Sequence, residues 1–124
     1  MGIGLSDLVL QECLYEDHDD YETRNEVVVG FNDARELVVL WRVEYYDDQH
    51  KRRIATKSRA SLSRDEAFRL SKCLQISVSQ IPLHLVSLFS VSLDGHLTSY
   101  QVRQLYEEVI GYLSSFGILV NQYH

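Results

Sequence analysis

The sequence predicts a single α+β domain, in which an antiparallel β-meander of three to four strands is packed on one face by two or three helices. Two observations support this class. Strand-like apolar runs between positions 26 and 60 are separated by turn-forming stretches. Two segments that begin with Ser or Thr then carry apolar residues at helical spacing. No linker or repeat interrupts the chain, so we expect one globular domain over residues 1–124.

The first segment, LSDLVLQECLY at 5–15, is compatible with two structures. Leu8, Leu10 and Leu14 nearly alternate, as residues of a strand do. The same segment fits one face of a helix, formed by Leu5, Leu8, Val9 and Cys13. The pattern does not decide between them.

Three strand-like runs follow a polar loop. Residues 26–31 alternate, and the tetrad at 32–35 has the Asn and Asp of a turn. Residues 36–46, ELVVLWRVEYY, form the clearest strand, and DDQH turns the chain into a returning strand at 51–60.

Pairing arithmetic predicts the two faces of this hairpin. If Asp47 pairs with His50, or Tyr46 with Lys51, paired positions sum to 97 and odd residues face even ones. A slip of one residue would place a basic row in the core, so this parity is strongly favoured. The predicted inner face contains Val39, Trp41, Val43, Tyr45, Ile54, Thr56, Ser58 and Ala60.

Two helices have clear start signals. Ser63 and Glu66 have the spacing of a capping box, as do Thr98 and Gln101. The second helix is predicted over 99–116, and Gly117 supplies its stop. Residues 82–92 stay ambiguous, because Pro82 suits a first helical turn whereas the residues after it alternate as in a strand.

These elements predict a core between the inner strand face and the helices. We expect Val27, Val29, Phe31, Val39, Trp41, Val43 and Ile54 to pack against Leu70, Leu74, Leu105, Val109 and Leu113. The uncharged stretch 73–93 is long enough to span a membrane. Its serines, glutamines, Pro82 and His84 indicate instead the most buried part of a soluble core.

The sequence contains no recognisable catalytic or cofactor-binding motif. Cys13 and Cys73 lack paired spacing, which favours two reduced, buried thiols in a cytoplasmic protein. The five histidines are scattered, and the acidic run DHDDYE at 17–22 lacks the pattern of a calcium loop. We therefore expect no metal, no cofactor and no enzymatic activity.

Charge is distributed unevenly along the chain. Residues 1–48 hold 13 acidic and 3 basic side chains, whereas residues 49–72 hold 8 basic and 2 acidic ones. The outer face of the hairpin is therefore the candidate partner-binding surface. Its predicted members are Val38, Leu40, Arg42, Tyr46, Lys51, Arg53, Lys57 and Arg59, with Glu44 opposite Arg53.

Three interpretations of this surface follow. It is a solvated face neutralised by the acidic loop 16–22, a contact for a protein partner or a second copy, or a nucleic-acid-binding β-ribbon at 51–59. The net charge of −6 argues against a polyanion as the main ligand. The sequence favours a small, soluble, acidic, non-enzymatic interaction module that binds a protein or forms a homodimer, with no membrane partner; nucleic-acid binding is the alternative.

The predicted register makes Trp41 a core residue, so Trp41→Ala should lower the free energy of unfolding by about 3 kcal/mol. Urea denaturation of both proteins measures the difference. A variant with an unchanged transition midpoint would contradict the predicted parity.

Overall fold

The computed structural model describes residues 8–18, 23–89 and 97–123. These residues form a five-stranded antiparallel sheet in chain order, together with three helices, which confirms the predicted α+β meander. The strands are β1 (Val9–His18), β2 (Thr23–Phe31), β3 (Leu37–Asp47), β4 (Arg52–Leu62) and β5 (Asn121–Tyr123). The helices are α1 (Arg64–Leu74), α2 (Ile81–Phe89) and α3 (Ser99–Ser114), and a 3₁₀ turn, Val78–Gln80, leads into α2.

The helices cover one face of the sheet. Helix α1 contacts β4, α2 contacts β1, and α3 contacts β2 and β3. Between the two layers lies a core whose fully buried members include Val27, Val29, Leu37, Val39, Leu62, Leu70, Ile81, Leu85, Val102, Val109 and Leu113. Fully burying a large apolar side chain stabilises the fold by roughly 1.5–3 kcal/mol, so this layer defines the domain.

The predicted core extends too far along the hairpin. Val43 and Ile54 are only partly buried and lie outside the core cluster. Tyr45, on the same face, is 39% exposed. Trp41 marks the boundary, because it is partly buried, packs on the core and contacts Tyr106 with tilted rings whose centroids are 5.7 Å apart. The helical layer therefore leaves the turn end of the β3–β4 hairpin uncovered.

The predicted parity of β3 and β4 is right, but the predicted register is two residues off. Asp47 pairs with Arg52, so paired positions sum to 99 rather than 97. Asp47 ends its strand by accepting a hydrogen bond from the Gln49 amide at 3.0 Å. Lys51, with φ 51°, completes a four-residue turn. An even shift leaves every side chain on its predicted face.

The ambiguous N-terminal segment is a strand from Val9 onward. Register shifts between Val9 and Glu12 and between Cys13 and Tyr15 mark two irregularities in its pairing with β2. The second lets the consecutive residues Leu14 and Tyr15 both be buried in the core. Such bulges break the two-residue period, which explains why the pattern resembled a helix equally well.

Both predicted helix starts are present, with different capping. The Ser63 hydroxyl accepts a hydrogen bond from the Glu66 amide at 3.2 Å. The Glu66 carboxylate does not complete the box: it accepts from Arg69 at 2.9 Å and from the Leu119 amide at 3.0 Å. At α3 the box is complete, since Thr98 and Gln101 each accept from the other's backbone amide. Helix α3 ends at Ser114, two residues before the predicted end.

Within the uncharged stretch 73–93, Ile81–Phe89 is a helix, as Pro82 indicated, whereas most of the alternating residues at 89–93 lie outside the described part of the chain. The stretch is not the most buried part of the core, which corrects the prediction. Leu83 is 60% and Leu88 is 51% exposed, whereas only one side of α2 is buried. His84 is partly buried and shares a 2.9 Å hydrogen bond with the Tyr112 hydroxyl. Among the described residues, no helix is both long and apolar enough to cross a membrane.

Two polar contacts connect distant parts of the chain. The buried Tyr15 hydroxyl accepts a hydrogen bond from the Leu97 amide at 2.9 Å, which links β1 to the segment before α3. The Glu66 carboxylate joins α1 to Leu119, just before β5, at 3.0 Å. Both contacts hold the C-terminal third of the chain against the meander and α1.

Gly30 lies where β1 and β2 approach each other closely. A Cβ at this position would lie 3.0 Å from the Val9 carbonyl oxygen and 3.2 Å from the Gln11 Cα, both backbone atoms. Gly30→Ala should therefore destabilise the protein by about 1–3 kcal/mol. Gly111, an exposed residue near the C-terminal end of α3, has no neighbouring atom within 4 Å of such a Cβ.

Gly111→Ala is the matched control, and it should stabilise the protein by about 0.5–1 kcal/mol because alanine favours a helix interior. Thermal denaturation of the three proteins gives both values. Equal and small effects from the two substitutions would refute the close approach at Gly30.

Candidate functional site

The face of the sheet opposite the helices carries most of the charge of the meander. One row of this face runs directly across four strands through Glu16, Glu26, Arg42 and Lys57. The next row toward the β3–β4 turn pairs Arg24 with Glu44. Cross-strand neighbours lie close enough for their side chains to interact, so each row acts as one electrostatic unit. We call this surface the charged sheet face.

Glu44 is the centre of an arginine cluster. Its carboxylate accepts from the Arg53 Nε at 2.8 Å and from an Arg42 nitrogen at 3.0 Å, and Arg24 approaches to 3.9 Å. The hydrogen bond from Arg53, with the charges of Arg42, Arg53 and Arg24, lowers the pKa of Glu44 below its ordinary value. Glu44 therefore stays ionised at neutral pH and orders three guanidinium groups.

The contact between Glu44 and Arg53 was predicted, but its geometry differs. Arg53 pairs with Tyr46, and Ala55 pairs with Glu44, so Arg53 reaches the carboxylate along a diagonal. Diagonal neighbours across two strands remain within reach of long side chains. The two-residue register shift thus preserves the ion pair.

Other cations of the face have no carboxylate partner. Lys57 and Arg59 are exposed and form no ion pair with any described residue. The Arg59 guanidinium lies 5.4 Å from the centre of the Tyr123 ring on β5, within cation–π distance. These groups are therefore available to an approaching anionic surface.

The structure brings together five of the eight predicted site residues. Arg42, Tyr46, Arg53, Lys57 and Arg59 share the charged sheet face, and Tyr46 is 42% exposed. Lys51 lies in the turn next to them rather than in a strand.

The expectation that Val38 and Leu40 contribute apolar surface is wrong. They are only 3% and 8% exposed, although they lie on the same side of β3 as Arg42. Val28, on the same face, is also buried at 1%. The available surface is therefore confined to the part of the face near the β3–β4 turn, and its chemistry is ionic rather than apolar.

A pair of carboxyl groups lies beside the arginine cluster. Glu16 and Glu26 are directly paired across β1 and β2. Burial, a hydrogen bond that the protonated Glu26 donates to Glu16, and the charge of Glu16 raise the pKa of Glu26 above its ordinary value of 4.5, while Arg42 and Arg24 oppose this shift. Ionising Glu26 beside the carboxylate of Glu16 therefore costs more than ionising it in water.

The two cysteines are free and exposed, not buried as expected. Desolvation, together with the charges of Glu16 and Glu26, raises the pKa of the Cys13 thiol to about 11. The thiol is therefore protonated at neutral pH and is a poor nucleophile. Across residues 8–18, 23–89 and 97–123, no group of three or more His, Cys, Asp and Glu side chains could hold a metal ion.

The interpretation that the acidic loop 16–22 neutralises the face stays a prediction, since residues 19–22 and the side chain of Asp17 lie outside the described part of the chain.

Sequence reasoning missed the residues that β1 and β2 contribute to the face. Arg24, Glu16 and Glu26 join it because Phe31 pairs with Leu37 across a five-residue turn. The predicted core already placed Val27, Val29 and Phe31 on the inner face, so the outward position of Arg24 and Glu26 was implied but was not drawn into the candidate site. The usable signal was Asn32, whose side chain accepts from the amides of Ala34 and Glu36, both at 3.0 Å, and so extends the turn to Glu36.

The fold and the face define a small α+β domain with an open, mixed-charge sheet surface. Comparisons of this chain with models of protein families, with curated proteins and with solved structures find no match.

The raised pKa of Glu26 should make the stability of the protein depend on pH. A carboxyl group with a higher pKa in the folded than in the unfolded chain costs stability as the pH rises from its ordinary value of 4.5 through its folded-state pKa. Glu26→Gln removes this ionisation, so the variant should be more stable than the parent at pH 7 and gain less at pH 4.

Urea denaturation at the two pH values, at low protein concentration, measures the change. Glu108→Gln, which removes an exposed carboxylate from α3, is the control and should show no comparable gain. A loss of stability in Glu26→Gln at pH 7 would contradict the carboxyl pair.

Proposed function

We propose that the chain is a small non-enzymatic interaction module that associates with a second copy of itself through the charged sheet face. The observation that carries this proposal is the order of charges in one row: Glu16, Glu26, Arg42, Lys57. Read across the sheet, the row is negative, negative, positive, positive.

When a second copy presents the same row in the opposite direction, every negative residue faces a positive one. A two-fold axis parallel to the strands and between β2 and β3 places β1 over β4 and β2 over β3 of the second copy. Glu16 then meets Lys57, and Glu26 meets Arg42, twice in the dimer. Closed two-fold interfaces use the same patch on both subunits, and opposite charges facing each other fix their register.

The neighbouring row satisfies the same symmetry. Arg24 on β2 and Glu44 on β3 are a direct pair, so the axis places each opposite the other in the second copy. Contact would also supply Glu26 with a cation, which offsets the cost of ionising it beside Glu16. Association would therefore stabilise an ion that the isolated chain holds unfavourably.

The mixed charge of the face also argues for protein rather than nucleic acid. Phosphates approaching Arg42 and Arg53 meet an ionised Glu44 between them. The carboxyl pair lies on the same surface, and the whole chain has a net charge of −6. Nucleic-acid interfaces are much more uniformly positive.

Three residues of the charged sheet face support the nucleic-acid alternative. Lys57 and Arg59 are exposed and without a carboxylate partner among the described residues, and Tyr46, 42% exposed, is placed for base stacking. Duplex binding through these groups would make log K fall with log salt by roughly 0.9 per phosphate contacted.

A charge exchange between two variants tests the dimer. Lys57→Glu and Glu16→Lys should each weaken self-association about tenfold or more, since each creates two like-charged contacts. An equimolar mixture should form a heterodimer, because the exchanged charges again face opposite ones. Sedimentation velocity with one variant fluorescently labelled measures all three states.

Lys51→Glu is the matched control, because it makes the same charge change in the turn, outside the row, and should leave association unchanged. A wild-type protein that remains monomeric at millimolar concentration overturns self-association. In that case, salt-dependent gel-shift binding to a DNA duplex, lost in Lys57→Glu, would favour the nucleic-acid alternative.

A further inference from the structure

A groove of about 620 Å³ opens at the end of the sheet remote from the β3–β4 turn. It lies where the start of β1, the β2–β3 turn, the first turns of α1 and the 3₁₀ turn meet, and its apolar lining is Val9, Leu10, Phe31, Phe68 and Val78. Its volume falls within the range of small-molecule sites, which are mostly apolar with a few polar groups.

Three large apolar side chains of the lining are more than half exposed to solvent. Val9 is 57%, Leu10 56% and Phe68 52% exposed. These three large side chains are neighbours around one concavity, and clustered exposed apolar residues mark binding sites more often than isolated ones do.

Two lining residues adopt a backbone conformation that their side chains disfavour. Leu10 has φ 52° and Arg35 has φ 63°. Glycine or asparagine adopts this left-handed region more easily, so Leu10 and Arg35 are strained there. Half of the four non-glycine residues with positive φ in the described chain therefore line this groove.

The charged lining is two arginines and one aspartate: Arg35, Arg64 and Asp65. Neither arginine forms an ion pair with any described residue, Asp65 included. Glu36, the next residue after Arg35, is hydrogen-bonded to the Asn32 amide at 2.8 Å instead. Both arginines that line this groove are therefore available to an anion.

The uncharged polar lining is Asn32 and Ser79, and the Ser79 hydroxyl lies 3.4 Å from the Ser77 hydroxyl. The Asn32 oxygen already accepts from the Ala34 and Glu36 amides, and its nitrogen donates to Glu36. An occupant with many polar groups would leave them unsatisfied, which costs free energy. The groove instead fits an apolar body with a single charged end.

We propose that this groove binds a small amphiphilic carboxylate, an unbranched aliphatic chain whose carboxylate is held by Arg35 and Arg64. The chain lies against Val9, Leu10 and Phe68. Arginine binds carboxylates through two parallel hydrogen bonds, so the pair fixes the head group and the apolar wall binds the tail. This site is independent of the charged sheet face.

Calorimetric titration of the full chain with octanoate, decanoate and dodecanoate, below their micelle concentrations, tests the proposal. Affinity should rise about fourfold for each buried methylene. Arg35→Gly should weaken dodecanoate binding about tenfold or more, because it removes a charged hydrogen-bond donor. It should not unfold the protein, since glycine suits φ 63° at this position.

Lys51→Gly is the matched control for Arg35→Gly. It removes a basic side chain from another left-handed position, φ 51°, in the β3–β4 turn, and should leave dodecanoate affinity unchanged. Equal losses in the two variants would show a general charge effect and overturn the site.

A second pair of variants tests the apolar wall. Phe68→Ala should weaken dodecanoate binding at least fivefold, whereas Leu83→Ala, which removes an equally exposed apolar side chain from α2, should not. No dependence on chain length, or no binding by the wild type, overturns the proposal. Binding to anionic lipid vesicles without binding to free dodecanoate also overturns it, since the occupant would then be a membrane surface.

Discussion

The rest of the structure depends on the parity of the three central strands. Val27, Val39 and Ala60 lie in the core under the helices, whereas Glu26, Arg42 and Arg59 lie on the other face, and only one parity keeps both sets in place. Once these residues face the helices, the residues of the opposite face are determined, because successive side chains of a strand point to opposite sides. Arg24, Arg42 and Lys57 share one surface as a consequence of what the core requires.

This dependence explains what could be predicted from the sequence. The parity of β3 and β4 was predicted because an odd slip would bury arginines, whereas the exact turn was not, since an even slip costs the core nothing. β1 could not be assigned because its bulges place Leu14 and Tyr15 on the same side and destroy the period. The burial of Val38 and Leu40 depends on tertiary packing, which alternation along one strand does not report.

The residues of the candidate sites differ in how readily they can be predicted from the sequence. Lys57 and Arg59 belong to a local basic run, so composition alone indicated them. The opposing carboxylates of Glu16 and Glu26 come from other strands and become neighbours only through pairing. The groove joins Leu10, Arg35 and Arg64 from three separate elements, and no spacing in the sequence connects them. Sites of this second kind are detectable only after the topology is known.

The contact between Tyr15 and Leu97 spans 82 positions of the chain, while every strand pair from β1 to β4 joins adjacent segments. Closing a short loop loses less chain entropy than closing a long one, and local contacts speed folding. The meander should therefore assemble early, with α3 docking on it late. Until it docks, Val27, Val29 and Val39 are exposed on a bare sheet, so the interval between the two steps is when the chain is most prone to aggregate.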